Sequence, residues 1–133
     1  MTQIMIVEDS PTDAHLLEKM LEKHGFQTLR VETGLEGIEV ARRMQPDLIL
    51  MDVVMPGLNG FQATRELTSN PDTASIPVII VTRKDQSVDR VWGMRQGACD
   101  YLTKPVDEVD LLNLIHNTLM AEDPVPEYAD SKS

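Results

Sequence analysis

Three short, nearly unbroken apolar runs punctuate the chain: Ile4-Met5-Ile6-Val7, Leu48-Ile49-Leu50-Met51 and Pro77-Val78-Ile79-Ile80-Val81. Runs of this length predict strands, and strands with no alternating polar face belong to a parallel sheet covered on both sides. Phe26 to Val31 predicts a further strand, mixed in polarity and therefore at a sheet edge, and Asp100 to Thr103 a short last one.

Helical patterns fill the intervals. Ser10-Pro11-Thr12-Asp13 reads as a helix start, with Ser as N-cap, Pro at the first position and an acid at the third. Leu17, Met20, Leu21 and His24 are expected on its apolar face, and Gly25 ends it. Thr33-Gly34-Leu35-Glu36 is a capping box that opens a helix to about Met44, with Ile38, Ala41 and Met44 near one face and Gln45-Pro46 as the stop. A helix from about Asn59 to Ser69 carries Phe61, Thr64 and Leu67 at helical spacing, and the Pro- and Asp-containing loop from Asn70 to Ser75 follows it. Another helix runs from about Gln86 to Gln96 and ends at Gly97. The last, from about Asp107 to Leu119, has an acid as cap and apolar residues on two stripes: Val109, Leu112 and Ile115 on one, Leu111 and Leu114 beside it.

Five strands alternating with five helices through short loops imply right-handed crossovers, hence an α/β fold with a doubly wound parallel sheet. Ligands of such sheets lie beyond the carboxyl ends of the strands, where strand order reverses. Every reactive residue type falls on that edge. The first strand ends on Glu8-Asp9, the third on Asp52, the fourth on Thr82, and the fifth runs into Lys104. Pro56, Gly57 and Gly60 forbid the Asp52 strand from continuing, so this acid stands where the sheet stops.

Composition narrows the picture. A chain of 133 residues is one domain's worth; residues 1–120 are expected to form it, and the acidic, proline-containing stretch 121–133 to be a disordered tail. Twelve Lys and Arg against 22 Asp and Glu give a net charge of -10 with no basic cluster, which argues against nucleic-acid binding, since phosphate neutralisation supplies most such affinity. A single cysteine, Cys99, allows neither a disulfide framework nor a Cys-based zinc site within the chain, and it is expected to be an inert, partly buried thiol. His15, His24 and His116 lack metal-ligand spacing and are expected near the surface. No apolar run approaches 18 residues and no charged-then-apolar leader opens the chain, so a cytoplasmic, monomeric protein with no membrane insertion is expected.

Three carboxylates crowded at one edge repel one another unless a cation joins them. Mg2+ suits the set because it prefers oxygen, keeps several waters and takes one or two carboxylates plus phosphate oxygens. Asp9 and Asp52 are the expected direct ligands, with Glu8 acting directly or through water and the Val54 backbone carbonyl available where the chain has left the strand. The Asp52 carboxylate can then attack phosphorus in line and form an acyl phosphate. Lys104 is placed to pair with the phosphoryl oxygens and Thr82 to donate a hydroxyl hydrogen bond to one of them. An aspartate-nucleophile phosphohydrolase would need a second acid two residues beyond the nucleophile, and Val54 occupies that place. No G-x-x-x-x-G-K-[ST] loop is present for nucleotide hydrolysis.

At these residues the chain resembles the receiver domain of two-component response regulators. Glu8-Asp9, Asp52, Thr82 and Lys104-Pro105 carry the likeness, with Met55-Pro56-Gly57 and Gly60 after the central acid and Gly97-Ala98 before the fifth strand. The resemblance covers about residues 3–120. It implies a flavodoxin-like sheet of order 2-1-3-4-5, Asp52 as phosphoacceptor, Glu8 and Asp9 as the acidic pocket, Thr82 as the switch hydroxyl and Lys104 as the phosphate-pairing cation. It further implies a cis bond before Pro105, and Tyr101 as an aromatic switch that turns inward when Thr82 moves. The donor would be a histidine kinase or a histidine-phosphotransfer domain. The output would be phosphorylation-dependent binding of an unidentified protein at the face made by the helix near Trp92, the fifth strand and the last helix with Leu111. The stretch from Pro56 to Arg65 together with Lys84-Asp85-Gln86 is most similar to stand-alone regulators of type IV pilus twitching motility. A phosphate sink for a shared kinase and a binding module that never uses phosphate are the alternatives.

Some positions stay open in the sequence. Trp92, one turn from Val88, either packs inward or, with Val91 and Met94 facing the sheet, points outward as the kind of side chain favoured as a binding anchor. Leu111 and Leu114 either finish the core or serve a partner. Two departures from the family pattern stand out. Arg83 occupies the position after the switch threonine, usually a small residue, where a long cation could hinder attacking water or assist a phosphodonor, and Glu8 stands where Asp is more frequent.

Overall fold

The computed structural model describes residues 1–121. Its strands are β1 (Gln3–Val7), β2 (Gln27–Val31), β3 (Leu48–Met51), β4 (Val78–Thr82) and β5 (Asp100–Thr103). They alternate with α1 (Pro11–Lys23), α2 (Gly34–Met44), α3 (Gly60–Ser69), α4 (Ser87–Arg95) and α5 (Glu108–Ala121). All strand pairs are parallel, in the order β2-β1-β3-β4-β5. The mixed-polarity β2 lies at an edge as expected, and the reversal of order falls between β1 and β3. The tail expected from residue 121 lies, from residue 122 onward, outside the described residues.

Side chains alternate across a strand, and the sheet sorts them into two cores. Ile4, Ile6, Leu48, Leu50, Ile79 and Val81 meet Leu17 and Leu21 of α1 and Leu111 and Ile115 of α5. Met5, Val7, Ile49, Met51 and Val78 meet Val40 and Ala41 of α2 and Ala63 and Leu67 of α3. Each fully buried Ile or Leu contributes about 1.5–3 kcal/mol relative to exposure, so both faces must be covered and neither helix layer is dispensable.

The helix starts follow from local chemistry. The Ser10 hydroxyl accepts from the Asp13 amide at 3.2 Å, and Asp107 caps α5 by accepting from the Asp110 amide at 3.0 Å. Asn59 and Gln62 form a reciprocal capping box at α3. At α2 the box is only half made: Thr33 caps Glu36, but the Glu36 carboxylate turns to the Glu32 amide at 2.9 Å.

Several face assignments differ from the sequence reading. α1 buries Ala14, Leu17 and Leu21, and His24 instead lies outside the core, 2.9 Å from Glu108 of α5. α2 buries Gly37, Val40 and Ala41, which leaves Met44 exposed at its end. Val109 is exposed as well. Cys99 is exposed rather than partly buried. His15 and His116 are exposed, as expected.

Candidate functional site

Glu8 and Asp9 leave β1 under backbone restraint. The Glu8 amide donates to the Val31 carbonyl at 3.0 Å, and the Arg30 guanidinium on β2 donates to the Glu8 carbonyl at 3.1 and 3.2 Å and to the Asp9 carbonyl at 3.3 Å. Asp52 is tied in the same way one strand over, its amide donating to the Val7 carbonyl at 3.0 Å and its carboxylate accepting from the Val53 amide at 2.8 Å. The start of α3 passes directly over this point. A Cβ on Gly60 would stand 2.0 Å from the Asp52 carbonyl oxygen and 2.7 Å from the Val53 Cα, so only glycine lets helix and strand end meet here.

Oxygens of Glu8, Asp9 and Asp52 lie within 4.8 Å of one another. Glu8 and Asp52 are buried while Asp9 faces solvent. Lys104 directly follows β5 and is joined to Pro105 by a cis peptide bond, and its ammonium points into the cluster. It donates to Glu8 and, at 2.8 Å, to Asp13, and it lies 3.7 Å from Asp52. Burial is the main force on Glu8 and pushes its carboxyl up to about 7, opposed by the Lys104 hydrogen bond. The hydrogen bond from Lys104 holds the Asp13 carboxyl below its ordinary value. Lys104 itself is raised: burial works against its charge, but the hydrogen bonds it donates to Asp13 and Glu8 outweigh it.

Thr82 ends β4 fully buried. The Lys84 amide approaches its hydroxyl at 3.5 Å, and the Tyr101 hydroxyl donates to the Lys84 carbonyl at 2.7 Å. Burial pushes the Tyr101 phenol up to about 12, so the ring remains a hydrogen-bond donor. Arg90 of α4 donates to the Tyr101 carbonyl at 3.0 Å and pairs with Asp100 at 3.1 Å. Tyr101 is thus turned inward, 4 % exposed, between the β4–α4 loop and α4.

The donor set fits a hard divalent cation. Three carboxylates meet within 4.8 Å in an open cleft that Val54 and Ser10 also line, and all-oxygen sites of this kind suit Mg2+. With Asp13, four carboxylates face two cations, Lys104 and Arg83, when all are ionised, and the excess of two negative charges is what one divalent ion would balance.

A family pattern described as the response regulator receiver domain matches residues 4–116. The chain belongs to this family. Over 119 residues it is 61 % identical to the protein PilH of Pseudomonas aeruginosa, covering 90 % of this chain and 98 % of that protein. Among solved structures, the signal receiver domain of a histidine kinase from Syntrophus aciditrophicus superposes with a TM-score of 0.85 at 37 % identity, covering 96 % of each chain. The receiver domain of the sensor histidine kinase PA1611 from Pseudomonas aeruginosa, with magnesium coordinated in its active-site cleft, gives a TM-score of 0.82 at 31 % identity over 89 % of this chain and 97 % of that one. Residues 4–116 are therefore a receiver of the phosphorelay response-regulator type, with the flavodoxin-like strand order expected from the sequence.

Of the expected site residues, Glu8, Asp9, Asp52, Val54 and Lys104 line one cleft, Thr82 ends the neighbouring β4, and three features depart from expectation. Leu111, assigned to a partner face, is fully buried against the sheet, because α5 uses Leu111 and Ile115 as its inward stripe. Val91 and Met94 do not face the sheet: both are exposed, as is Trp92 at 49 %. The residue of α4 that meets the sheet is Gly93, whose missing side chain makes room for Ile80 and the Tyr101 ring. Asp13, read only as a first-turn helix acid, proves to be a member of the cluster. Its signal in the sequence was positional, since a helix that starts two residues after Asp9 carries its third residue back over the strand end. Arg30 gave no such signal, because its role depends on which strand lies beside β1.

Proposed function

We propose that Asp52 accepts a phosphoryl group from a phosphohistidine donor and that the resulting charge alters a protein-binding face at α4 and β5. The observation that carries this reading is the convergence, at one sheet edge, of a buried Asp52 with Glu8, Asp9, Lys104 and Thr82. Glu8, Asp9 and Asp52, with the Val54 carbonyl, would hold Mg2+, which when bound screens the carboxylates and polarises the incoming phosphoryl group.

The residues of the chain then have distinct roles. An Asp52 oxygen attacks phosphorus while the donor imidazole leaves. Lys104 pairs with a phosphoryl oxygen as a mobile point charge, and Thr82 donates its hydroxyl proton to another. Movement of Thr82 disturbs the Lys84 backbone, which is where the Tyr101 hydroxyl is anchored. Through Arg90 the disturbance reaches α4, whose exposed Val88, Val91, Trp92 and Met94 offer an apolar surface of the sort that serves as a binding face. Intrinsic loss of the phosphoryl group by hydrolysis would reset the switch.

The likeness to PilH, with the similarity of the Pro56–Arg65 stretch to twitching-motility regulators, supports a role in type IV pilus control in the cytoplasm. Among the described residues no helix is long and apolar enough to cross a membrane. The site is tested with acetyl phosphate and Mg2+. One acid-stable, base-labile phosphoryl group is expected on the chain and none on Asp52→Asn; uptake by the variant would overturn the assignment.

A further inference from the structure

Arg83 is the residue whose sequence position promised an obstacle beside the phosphoryl site, yet its guanidinium is engaged elsewhere. Its Nη2 lies 3.1 and 3.2 Å from the two Asp13 oxygens. The same Asp13 carboxylate accepts from Lys104 at 2.8 Å. One anion therefore serves two cations, and they differ in freedom: the Lys104 side chain is 6 % exposed and that of Arg83 is 66 % exposed.

Topology gives this sharing a consequence. β3 lies between β1 and β4, so a bridge from Arg83, just past β4, to Asp13, just past β1, spans the end of β3 where Asp52 stands. Lys104 is nearer to Glu8 and Asp13 than to Asp52. To meet a phosphoryl group on Asp52 it must give up part of this hold. An Asp13 side chain only 13 % exposed would be costly to leave without a counter-charge, because breaking a largely buried ion pair leaves one charge uncompensated.

We propose that Arg83 is a relief cation: it takes over the Asp13 carboxylate when Lys104 turns to the phosphoryl group, and so eases the release of Lys104. Asp13 and Arg83 are positioning residues in this scheme, acting through Lys104 and touching neither the phosphoryl group nor its donor. No bond is made or broken; one ion pair replaces another on Asp13. The inference rests on Asp52 as the phosphoryl site.

Beryllofluoride, a phosphoryl mimic, is titrated calorimetrically with saturating Mg2+ into the full chain, Arg83→Ala, Asp13→Asn and the double variant. Arg83→Ala is expected to weaken binding about two- to fivefold, the size supported by an ion pair with one exposed partner. In the Asp13→Asn background the same change is expected to do nothing, because Lys104 no longer has a hold on Asp13 to give up. Should Asp13→Asn not fold, Asp13→Ser carries the same comparison. An equal loss from Arg83→Ala in both backgrounds would overturn the proposal and place Arg83 on the phosphoryl group itself. No loss in either would show Arg83 idle and overturn it too. If the full chain and Asp52→Asn bind beryllofluoride alike, it is the site reading that fails.

Discussion

Replacing Lys104 by Met removes one charge and little volume from a site where three carboxylates lean on it. The magnitude follows from Glu8. A carboxyl raised from 4.5 to about 7 in the folded state binds a proton more readily than it does unfolded. The native state is thus favoured by this group at low pH, and that advantage is lost as pH rises from about 4.5 to about 7, a change of about 3 kcal/mol. Lys104 acts to lower the Glu8 value, so its removal drives Glu8 higher and extends the loss above neutrality by about 1.4 kcal/mol for each further unit. Urea denaturation of both proteins between about pH 5 and pH 8.5 is the assay. The deficit of Lys104→Met is expected to be smallest near pH 5, where Glu8 carries a proton in both, and to grow with pH. Saturating Mg2+ should narrow the deficit at high pH, because a divalent ion supplies the missing positive charge and binds only the folded chain. A deficit independent of pH, or one that Mg2+ leaves untouched, would refute the reasoning.

Two further outcomes test the frame around the site. Gly60→Ala places a Cβ 2.0 Å from the Asp52 carbonyl oxygen; since that atom is backbone, α3 and the β3 end must separate, and a loss of about 3 kcal/mol or more is expected in thermal melts, with a change at or below the roughly 1 kcal/mol that helix propensity favours counting against the close approach. Tyr101→Phe removes the hydroxyl that donates to the Lys84 carbonyl at 2.7 Å. It should cost about 0.5–1.5 kcal/mol and shift the fluorescence of Trp92 on neighbouring α4, whereas an unchanged spectrum and stability would mean that the anchor does not hold the ring.

What the sequence revealed, and what it hid, divides along physical lines. The strands were legible because β1, β3 and β4 are buried on both faces and so read as continuous apolar runs. Asp52 and its companions were legible because strand ends in such a sheet point to one edge. Helix faces were less so. On α4 the apolar pattern left two readings open, Trp92 packing inward near Val88 or Val91 and Met94 facing the sheet, and the one buried position is Gly93, which periodicity of apolar side chains cannot detect. Leu111 was misassigned for a related reason: α5 carries two apolar stripes, and only the packing of α1 and the sheet against it decides which turns inward. Asp13 and Arg30 escaped because each acts across strands, one from a helix turn folded back on the cleft and the other from β2 onto the β1 end. Such pairings need the register before they can be seen.

The placement of α4 gives the proposed switch a physical basis. A helix responds to a small push only if little else restrains it, and local stability scales with the apolar contacts that opening would lose. α4 buries a single glycine, whereas α1 buries three residues and α3 five. What ties α4 to the sheet is the Arg90 pair of contacts on β5, and the seat that Gly93 leaves for the Tyr101 ring. Both attachments converge on Tyr101, whose hydroxyl is bound to the loop that follows Thr82. The side chain that reads the Thr82 loop is therefore the same one that seats α4. In the proposed switch a displacement of Thr82 would not have to travel through the core: it would reach the exposed face of α4 through Tyr101 and its Arg90 contact, while α1 and α3, which bury three and five residues, hold their own faces of the sheet.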